Sequence, residues 1–309
     1  MKRFFSKPYR WAAVYAVLLS AAFTFVLLDS FVIPKSLIPV KPQVSSTPEG
    51  TGTDGQSGTQ SGEGAAVTDH SYEDENIKIN IETLERDSST VYVADIQLAD
   101  ASYLKTALAN DTYGRNIKQT TSEIAERHQA IFAVNGDYYG FRDNGYVVRN
   151  GTVYRDAARS GSGNEDLVID VDGNFSIIEE SQTSLSSLDA DSIAQVLSFG
   201  PALIENGEIV VDSQSEVSRS KSSNPRTAIG QISPLHYVIL VSDGRTSESQ
   251  GLSLLELAQI FIEKGCTTAY NLDGGGSSTM YFNGTVVNNP TDGRSSGERE
   301  VSDIVYVGY

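Results

Sequence analysis

The chain has 309 residues, 39% of them hydrophobic, which is enough to bury a sizeable core and excludes wholesale disorder. Its 23 Lys and Arg against 40 Asp and Glu leave a formal charge of −17, so nucleic acid and anionic lipid headgroups are repelled unless a local basic pocket overrides the field. One cysteine, Cys266, excludes an intrachain disulfide and any multi-cysteine zinc or iron–sulfur site.

Four cations (Lys2, Arg3, Lys7 and Arg10) precede an uncharged run from Trp11 to Leu28, and Asp29 follows it. As a helix rising about 1.5 Å per residue, that run nearly crosses a hydrocarbon core. Residues 1–10 are expected to be a cytoplasmic tail and 11–33 a transmembrane anchor, with the rest of the chain outside, because cations stay on the cytoplasmic side. The rival, a cleaved signal peptide, needs small residues after a shorter apolar run. Here Ser20 to Ala22 lie inside the run, and bulky Phe31, Val32 and Ile33 follow it. The reading is a single-pass protein of the cell membrane with its C-terminal domain extracytoplasmic.

Residues 34–75 read as a flexible linker. Between Ser45 and Gly64, 14 of 20 residues are Gly, Ser or Thr, a composition that buries too little apolar area to offset its ordering entropy. Pro34, Pro39, Pro42 and Pro48 stiffen it, so it is expected to hold the globular part tens of ångströms from the bilayer. Period-two alternation starts at Ile77 in IKINIETL and continues in TVYVADIQL, which predicts strands and places the folded domain at 76–309.

Four dipeptides between apolar runs predict two-residue hairpins: Asn150-Gly151, Asp172-Gly173, Asn206-Gly207 and Asn283-Gly284. The clearest helix runs from about Ser253 to Lys264, with Ser253 and Glu256 as a capping box and Gly265 as its stop. A second is expected over about 122–129. Together these predict an α+β domain with a mixed, largely antiparallel sheet, several hairpins and a few flanking helices.

Polar clusters fall at strand ends. The strand Ile131 to Val134 delivers Asn135, Gly136, Asp137, Tyr138 and Tyr139, and the strand Leu235 to Val241 ends in Asp243, Gly244 and Arg245. In AYNLDGGGSSTMYF a short strand carries Asn271 to Asp273, Gly274, Gly275, Gly276, Ser277 and Ser278, and returns into another strand. Three consecutive glycines are costly in conformational entropy, so they imply close approach of something to the backbone, and their amides can cradle an anion. Neither a P-loop Lys nor a Gly-x-Ser-x-Gly elbow accompanies them. Arg226, beside rigid Pro225, can grip a phosphate or carboxylate in a bidentate way.

The segments NGDYY (135–139), SFGPALIENG (198–207), NPRTAIG (224–230), VSDGRTSESQGLSLLELA (241–258) and NLDGGGSSTMYFNG (271–284) resemble the successive blocks of the phosphodiester glycosidase family. The resemblance runs over the whole region from about Asn76 to Tyr309 and implies hydrolysis of a sugar-1-phosphodiester. Its bacterial members are labelled exopolysaccharide-related by similarity, and this chain lacks the disulfides and appended modules of the lysosomal member, so the substrate does not carry over.

The chemistry agrees. Glycoside cleavage ordinarily uses two carboxylates, but a phosphodiester departs as a stable anion, which lowers the demand for an acid and raises that for anion stabilisation. Asp273, Asp243 and Asp137 are the candidate catalytic carboxylates. Arg226 and the amides of Gly274 to Ser278 are expected to hold the phosphate, Asn135 and Asn271 the sugar hydroxyls, and Tyr138 or Tyr139 to form a ring platform. No metal or cofactor is assigned. The expected partners are a carbohydrate phosphodiester of cell-surface glycopolymer and the membrane through the N-terminal helix, with no nucleic acid. A non-catalytic carbohydrate-binding or envelope-assembly module on the same fold is the alternative. His128 and His236 read as structural and Cys266 as a packed thiol. Asp170, Asp172 and Asn174 mimic calcium positions but lack the closing Glu, so a hairpin turn is expected there.

Overall fold

The computed structural model describes residues 8–40, 64–215, 223–293 and 295–309, so most of the Gly/Ser/Thr-rich segment lies outside the described residues. Among the described residues the α-helices are Pro8–Phe31, Thr121–Arg127 and Leu254–Glu263. Every strand ladder among the described residues is antiparallel.

A nine-stranded sheet is built on the long strands Ile77–Arg86, Ser89–Leu98, Arg226–Ser233 and His236–Ser242, with Thr268–Asn271 beside Arg226–Ser233. Strict alternation lets its two faces bury different sets of residues. Ile79, Ile96, Ile229 and Ile239 point to the main core, where they meet Phe132, Val134, Met280, Phe282 and Val305 of a five-stranded sheet. The in-between residues Val91, Val93, Ala228, Val238 and Leu240 face the other way, onto Leu254, Leu257, Ala258 and Phe261 of the Leu254–Glu263 helix. That helix starts on a complete capping box, Ser253 with Glu256, and ends at Lys264. The Thr121–Arg127 helix, capped by Thr120 and Glu123, covers the outer face of the five-stranded sheet through Ile124 and Ala125. A third, five-stranded sheet carries the Glu165–Asp170 and Phe175–Glu179 hairpin.

Three of the four expected turns have both central residues at positive φ: Asn150-Gly151, Asn206-Gly207 and Asn283-Gly284. The fourth is wider. Only Gly173 has positive φ there, and the Asp170 carboxylate closes the loop by accepting the amides of Asp172 and Asn174, so this aspartate serves the turn. The longest hairpin turns at Asp87-Ser88 with no glycine, which left no signal in the sequence.

The expected linker is corrected at both ends. Ala66–Val67 and Ser71–Glu73 add to the edge of the nine-stranded sheet with Tyr72 buried, and Lys35–Ser36 pairs with Gly114–Arg115. Edge strands this short are held by backbone hydrogen bonds, so their side chains need no alternation to announce them. The N-terminal helix is long and apolar enough to cross a membrane by length and composition, and none of its apolar window is buried.

Candidate active site

The glycine loop is the crossover between the two large sheets. It leaves the nine-stranded sheet at Asn271 and enters the five-stranded sheet at Met280, beside the Phe132–Asn135 strand. Asn135 fastens the crossing: its Nδ2 donates to the Asp273 carbonyl (2.6 Å), and its Oδ1 accepts from the Thr227 hydroxyl (2.7 Å) and the Thr279 amide (3.3 Å). Here a cavity of about 290 Å³ opens, lined by Asp137, Tyr138, Phe141, Asp273 and Ser277, with Lys118, Asp292, Arg299 and Glu300 at its rim.

Asp273 lines the cavity at the start of the glycine loop. Its Oδ1 accepts the Gly274 amide (3.0 Å), and the Ser277 hydroxyl bonds to it. Burial pushes its pKa above the ordinary value, against the opposing pull of Ser277, Arg299, the Gly274 amide and Arg142. A carboxylate raised in this way is more basic than a solvated one, as suits a base or nucleophile.

Asp137 shares the cavity but is heavily engaged. Its Oδ1 accepts the Tyr139 amide (2.9 Å), and its Oδ2 accepts the Ser198 amide (2.9 Å) and lies 2.8 Å from Arg149 Nη2 in an ion pair. Burial would raise its pKa, but Arg149 and the Ser198 amide outweigh that and hold it below the ordinary range. The same Arg149 nitrogen lies 2.8 Å from Asp303 Oδ2. Asp303 has no exposed surface and its Oδ1 has no hydrogen-bond partner; burial, with repulsion from Asp137 and Asp273, pushes its pKa up to about 7 despite Arg149.

The remaining expected site residues lie behind the cavity or away from it. Asp243 is buried and accepts from Asn288 Nδ2 (3.1 Å), the Asn289 amide (2.9 Å) and Asn289 Nδ2 (3.2 Å). Since Asn288 in turn holds the Ser278 carbonyl and the Met280 amide, Asp243 braces the exit of the glycine loop. Arg226 is directed elsewhere: its Nε donates to the Leu252 carbonyl (2.8 Å), while its strand neighbour Thr227 is the one that reaches Asn135. Alternation along the strand therefore puts Arg226 on the helix-covered face. Asn271 Nδ2 is taken by the Gly200 carbonyl (2.8 Å). Of the two tyrosines, Tyr138 is exposed and stacks on Phe141 (4.7 Å), whereas Tyr139 is buried against Tyr113.

The glycines also serve a different end from the amide cradle expected. The amides of Gly274, Gly275, Ser277 and Ser278 are bonded to Asp273, Pro225, Gly274 and Gly275 respectively. What the missing side chains admit is cations. A Cβ on Gly275 would lie 2.7 Å from Arg245 Nη2, and one on Gly276 would lie 2.6 Å from Arg299 Nη2 and from Asp292 Oδ1. Arg299 chelates Asp292 through Nε (3.0 Å) and Nη2 (2.5 Å), and Lys118 pairs with Glu300 (2.7 Å). Arg142 lies over the Tyr138 ring (5.5 Å). Lys118 and Arg299 thus share the cavity wall with four carboxylates, Asp137, Asp273, Asp292 and Glu300, and Arg142 and Arg245 stand beside Tyr138 and Gly275, so the negative field of the protein is locally offset there.

Sequence reasoning missed Lys118, Arg142, Arg149, Arg299 and Asp303 as site residues. Arg299 stands in GERE, flanked by acids like any solvated arginine, and Arg149 carries no motif. His128 and His236 pair with Asp111 and Asp95, and Cys266 is buried with its thiol pushed up to about 12 by burial. Among the described residues no group of three or more His, Cys, Asp or Glu could hold a metal ion.

The sequence pattern of the phosphodiester glycosidase family matches residues 128–308. The SPbeta prophage-derived protein YomE of Bacillus subtilis is 29% identical over 202 residues, 64% of this chain and 31% of its own length. The human N-acetylglucosamine-1-phosphodiester alpha-N-acetylglucosaminidase is 29% identical over 209 residues, 62% of this chain and 40% of its own. The chain therefore spans less than half of either relative. The zebrafish catalytic domain of that name superposes with a TM-score of 0.59 at 21% identity, over 75% of this chain and 83% of the other.

Proposed function

The chain belongs to the phosphodiester glycosidase family, and from that premise we propose that it is an extracytoplasmic hydrolase of a sugar-1-phosphodiester in cell-surface glycopolymer or exopolysaccharide, anchored in the cell membrane by its N-terminal helix. The observation that carries the reading is the pairing, in one cavity, of the half-buried carboxylate Asp273 with the cations Lys118 and Arg299. About 290 Å³ is room for a single sugar ring rather than a stretch of polymer.

In this reading Tyr138, stacked on Phe141, carries the ring, and Asp273 attacks the anomeric carbon or takes a proton from the water that does. The phosphate leaves toward Arg299 and Lys118, each of which holds a surface carboxylate in the free protein and exchanges it for the departing anion. Arg142 and Arg245 add positive potential behind them. Asp137, held ionised by Arg149, fixes the loop that bears Tyr138 and takes no part in proton transfer.

The test is release of free sugar from a GlcNAc-1-phosphodiester by the full chain in vesicles. Turnover supports the hydrolase. Saturable binding of the ester with no sugar released would make the cavity a carbohydrate-binding module instead.

A further inference from the structure

Asn116 makes hydrogen bonds in two directions. Its side-chain Nδ2 donates to the carbonyls of Ser30 (3.3 Å) and Ile33 (3.2 Å), at the C-terminal end of the apolar helix. Its backbone N–H donates to the carbonyl of Gly140 (3.3 Å), in the 3-10 turn Tyr139–Phe141 whose last residue lines the cavity. Beside it Lys35–Ser36 pairs with Gly114–Arg115, and the Leu37 amide donates to the Tyr113 carbonyl (2.8 Å). Lys118, on the cavity rim, follows in the same loop. The helix end is therefore tied to the wall of the cavity, not to a remote face.

The distances are short. From Phe31, the last residue of the helix, to Lys35 the chain spans at most about 14 Å even if fully extended, and from Asn116 to Lys118 at most about 7 Å. The rim of the cavity then lies within about 20 Å of the point where the helix leaves the hydrocarbon, at the headgroup layer or just above it. None of residues 30–37 lines the cavity, so the tie orients the mouth without plugging it. Electrostatic adhesion does not account for this placement, because a chain of charge −17 is repelled by an anionic surface.

We infer that the cavity works at the outer bilayer surface on a sugar-1-phosphodiester whose phosphate is carried by a membrane-embedded lipid. This replaces the polymer-borne phosphate of the proposed function with a lipid-borne one at the same cell surface, and rests on that reading for the reaction and the anchor. The reaction is a hydrolysis: water adds to the anomeric carbon, the C1–O bond breaks, and the lipid phosphate stays in the bilayer while the sugar leaves into water. A domain meant for distant wall polymer would gain from a free tether; this one is fixed where a lipid-borne phosphate arrives.

Two measurements on the full chain in vesicles test it. An environment-sensitive thiol probe is placed at Lys118→Cys and, as control, at Asp172→Cys; Asp172 is exposed, in a turn packed on Leu235 and Tyr237 at the end of the His236–Ser242 strand away from Asp243. Native Cys266 is buried and does not compete for the label. Headgroup-labelled quencher lipid should quench the probe at position 118 several-fold more than at 172, and equal quenching overturns the orientation whatever the turnover. The second measurement compares GlcNAc-1-phosphoryl polyprenol with water-soluble GlcNAc-1-phosphoryl methanol, using Asn116→Gly combined with Leu37→Pro, which keeps the positive φ at 116 and its backbone bond to Gly140 while removing the side-chain bonds to Ser30 and Ile33 and the Leu37 amide bond to Tyr113. The variant should lose at least tenfold on the lipid ester and stay within twofold on the soluble one. An equal loss on both, or none, overturns the membrane-borne substrate class. Release from neither ester by the unaltered chain overturns the hydrolase reading itself, and the quenching still decides the orientation.

Discussion

Asp137 and Asp303 lie on either side of a single guanidinium nitrogen, Arg149 Nη2, each at 2.8 Å, with all three side chains buried. One cation thus serves two carboxylates, and the pair resolves the deficit by dividing the roles. Asp137, which also accepts two backbone amides, is held below the ordinary carboxylate range, and Asp303, with Oδ1 unpartnered, is pushed up to about 7, so of the two it is the one that keeps a proton more readily. Arg149 Nε donates to Asp303, and its Nη1 bonds the carbonyls of Val148 and Val196, so the guanidinium also joins the strand Val147–Arg149 to its neighbour.

Removing that cation should be severe. Arg149→Met leaves two carboxylates facing each other without solvent, and breaking a buried ion pair in this way costs about 3–5 kcal/mol. Urea unfolding followed by circular dichroism should show the midpoint falling accordingly. A loss below about 1 kcal/mol would mean the two acids are neutral in the folded protein and the arginine is held by the carbonyls alone.

The pair also sets a pH dependence. The folded protein keeps the Asp303 proton up to about 7, whereas the unfolded chain releases it near the ordinary value of about 4. The folded state therefore binds more protons across that window, and stability from this residue falls as pH rises from 4 to 7 and is level above. Asp137 has the opposite sign, its contribution being lost only as pH drops below its ordinary value. Asp303→Asn should flatten the decline in melting temperature between pH 5 and 7.5. An unchanged slope in the variant would assign the decline to other groups.

The sequence displayed what depends on local order. Ser253 with Glu256, the Asn-Gly turns and the alternation in Arg226–Ser233 and His236–Ser242 each act over a few residues, and each formed as read. Of the candidate site residues, Asp273, Asp137, Tyr138 and Ser277 stand in marked motifs and also line the one cavity. Others do not. Asp243 and Arg226 stand in equally marked motifs, yet one braces a neighbouring loop and the other faces away, a difference set by sheet pleat and crossover rather than by residue type. Arg299 and Lys118 reach the cavity from elements far apart in sequence, and a lone cation among acids carries no sign of its destination.

If Asp273 is the attacking or water-activating group, Asp273→Asn keeps its shape and removes its charge. Turnover of the phosphodiester should fall by at least about a thousandfold with KM changed less than about threefold, the signature of an interaction made only in the transition state. Full turnover in this variant would move the chemistry to another group. Asp243→Asn, by contrast, should lower the melting temperature more than the turnover of the molecules still folded, since its hydrogen bonds hold the Asn288–Asn289 segment.

The glycine loop separates close approach of a cation from backbone strain, because its two central glycines differ. Gly275 has φ +63, so Gly275→Ala pays for a strained backbone with about 1 kcal/mol or more of stability, besides crowding Arg245. Gly276 lies outside the left-handed region, and its added Cβ would meet the ends of two flexible side chains, Arg299 and Asp292, which can swing aside. Gly276→Ala should therefore leave the melting temperature within about 2 °C while displacing the Arg299 guanidinium from the cavity rim. Losing one charge-assisted contact of about 1.5–3 kcal/mol corresponds to a rise in KM for the phosphodiester of roughly ten- to a hundredfold. Arg299→Ala should reproduce that rise, and the Gly276→Ala, Arg299→Ala double variant should be no worse than either alone, since both remove the same contact. Additive losses in the double variant would mean that Gly276 matters to the substrate directly, through its backbone, and the anion cradle first expected from the sequence would return for that one residue.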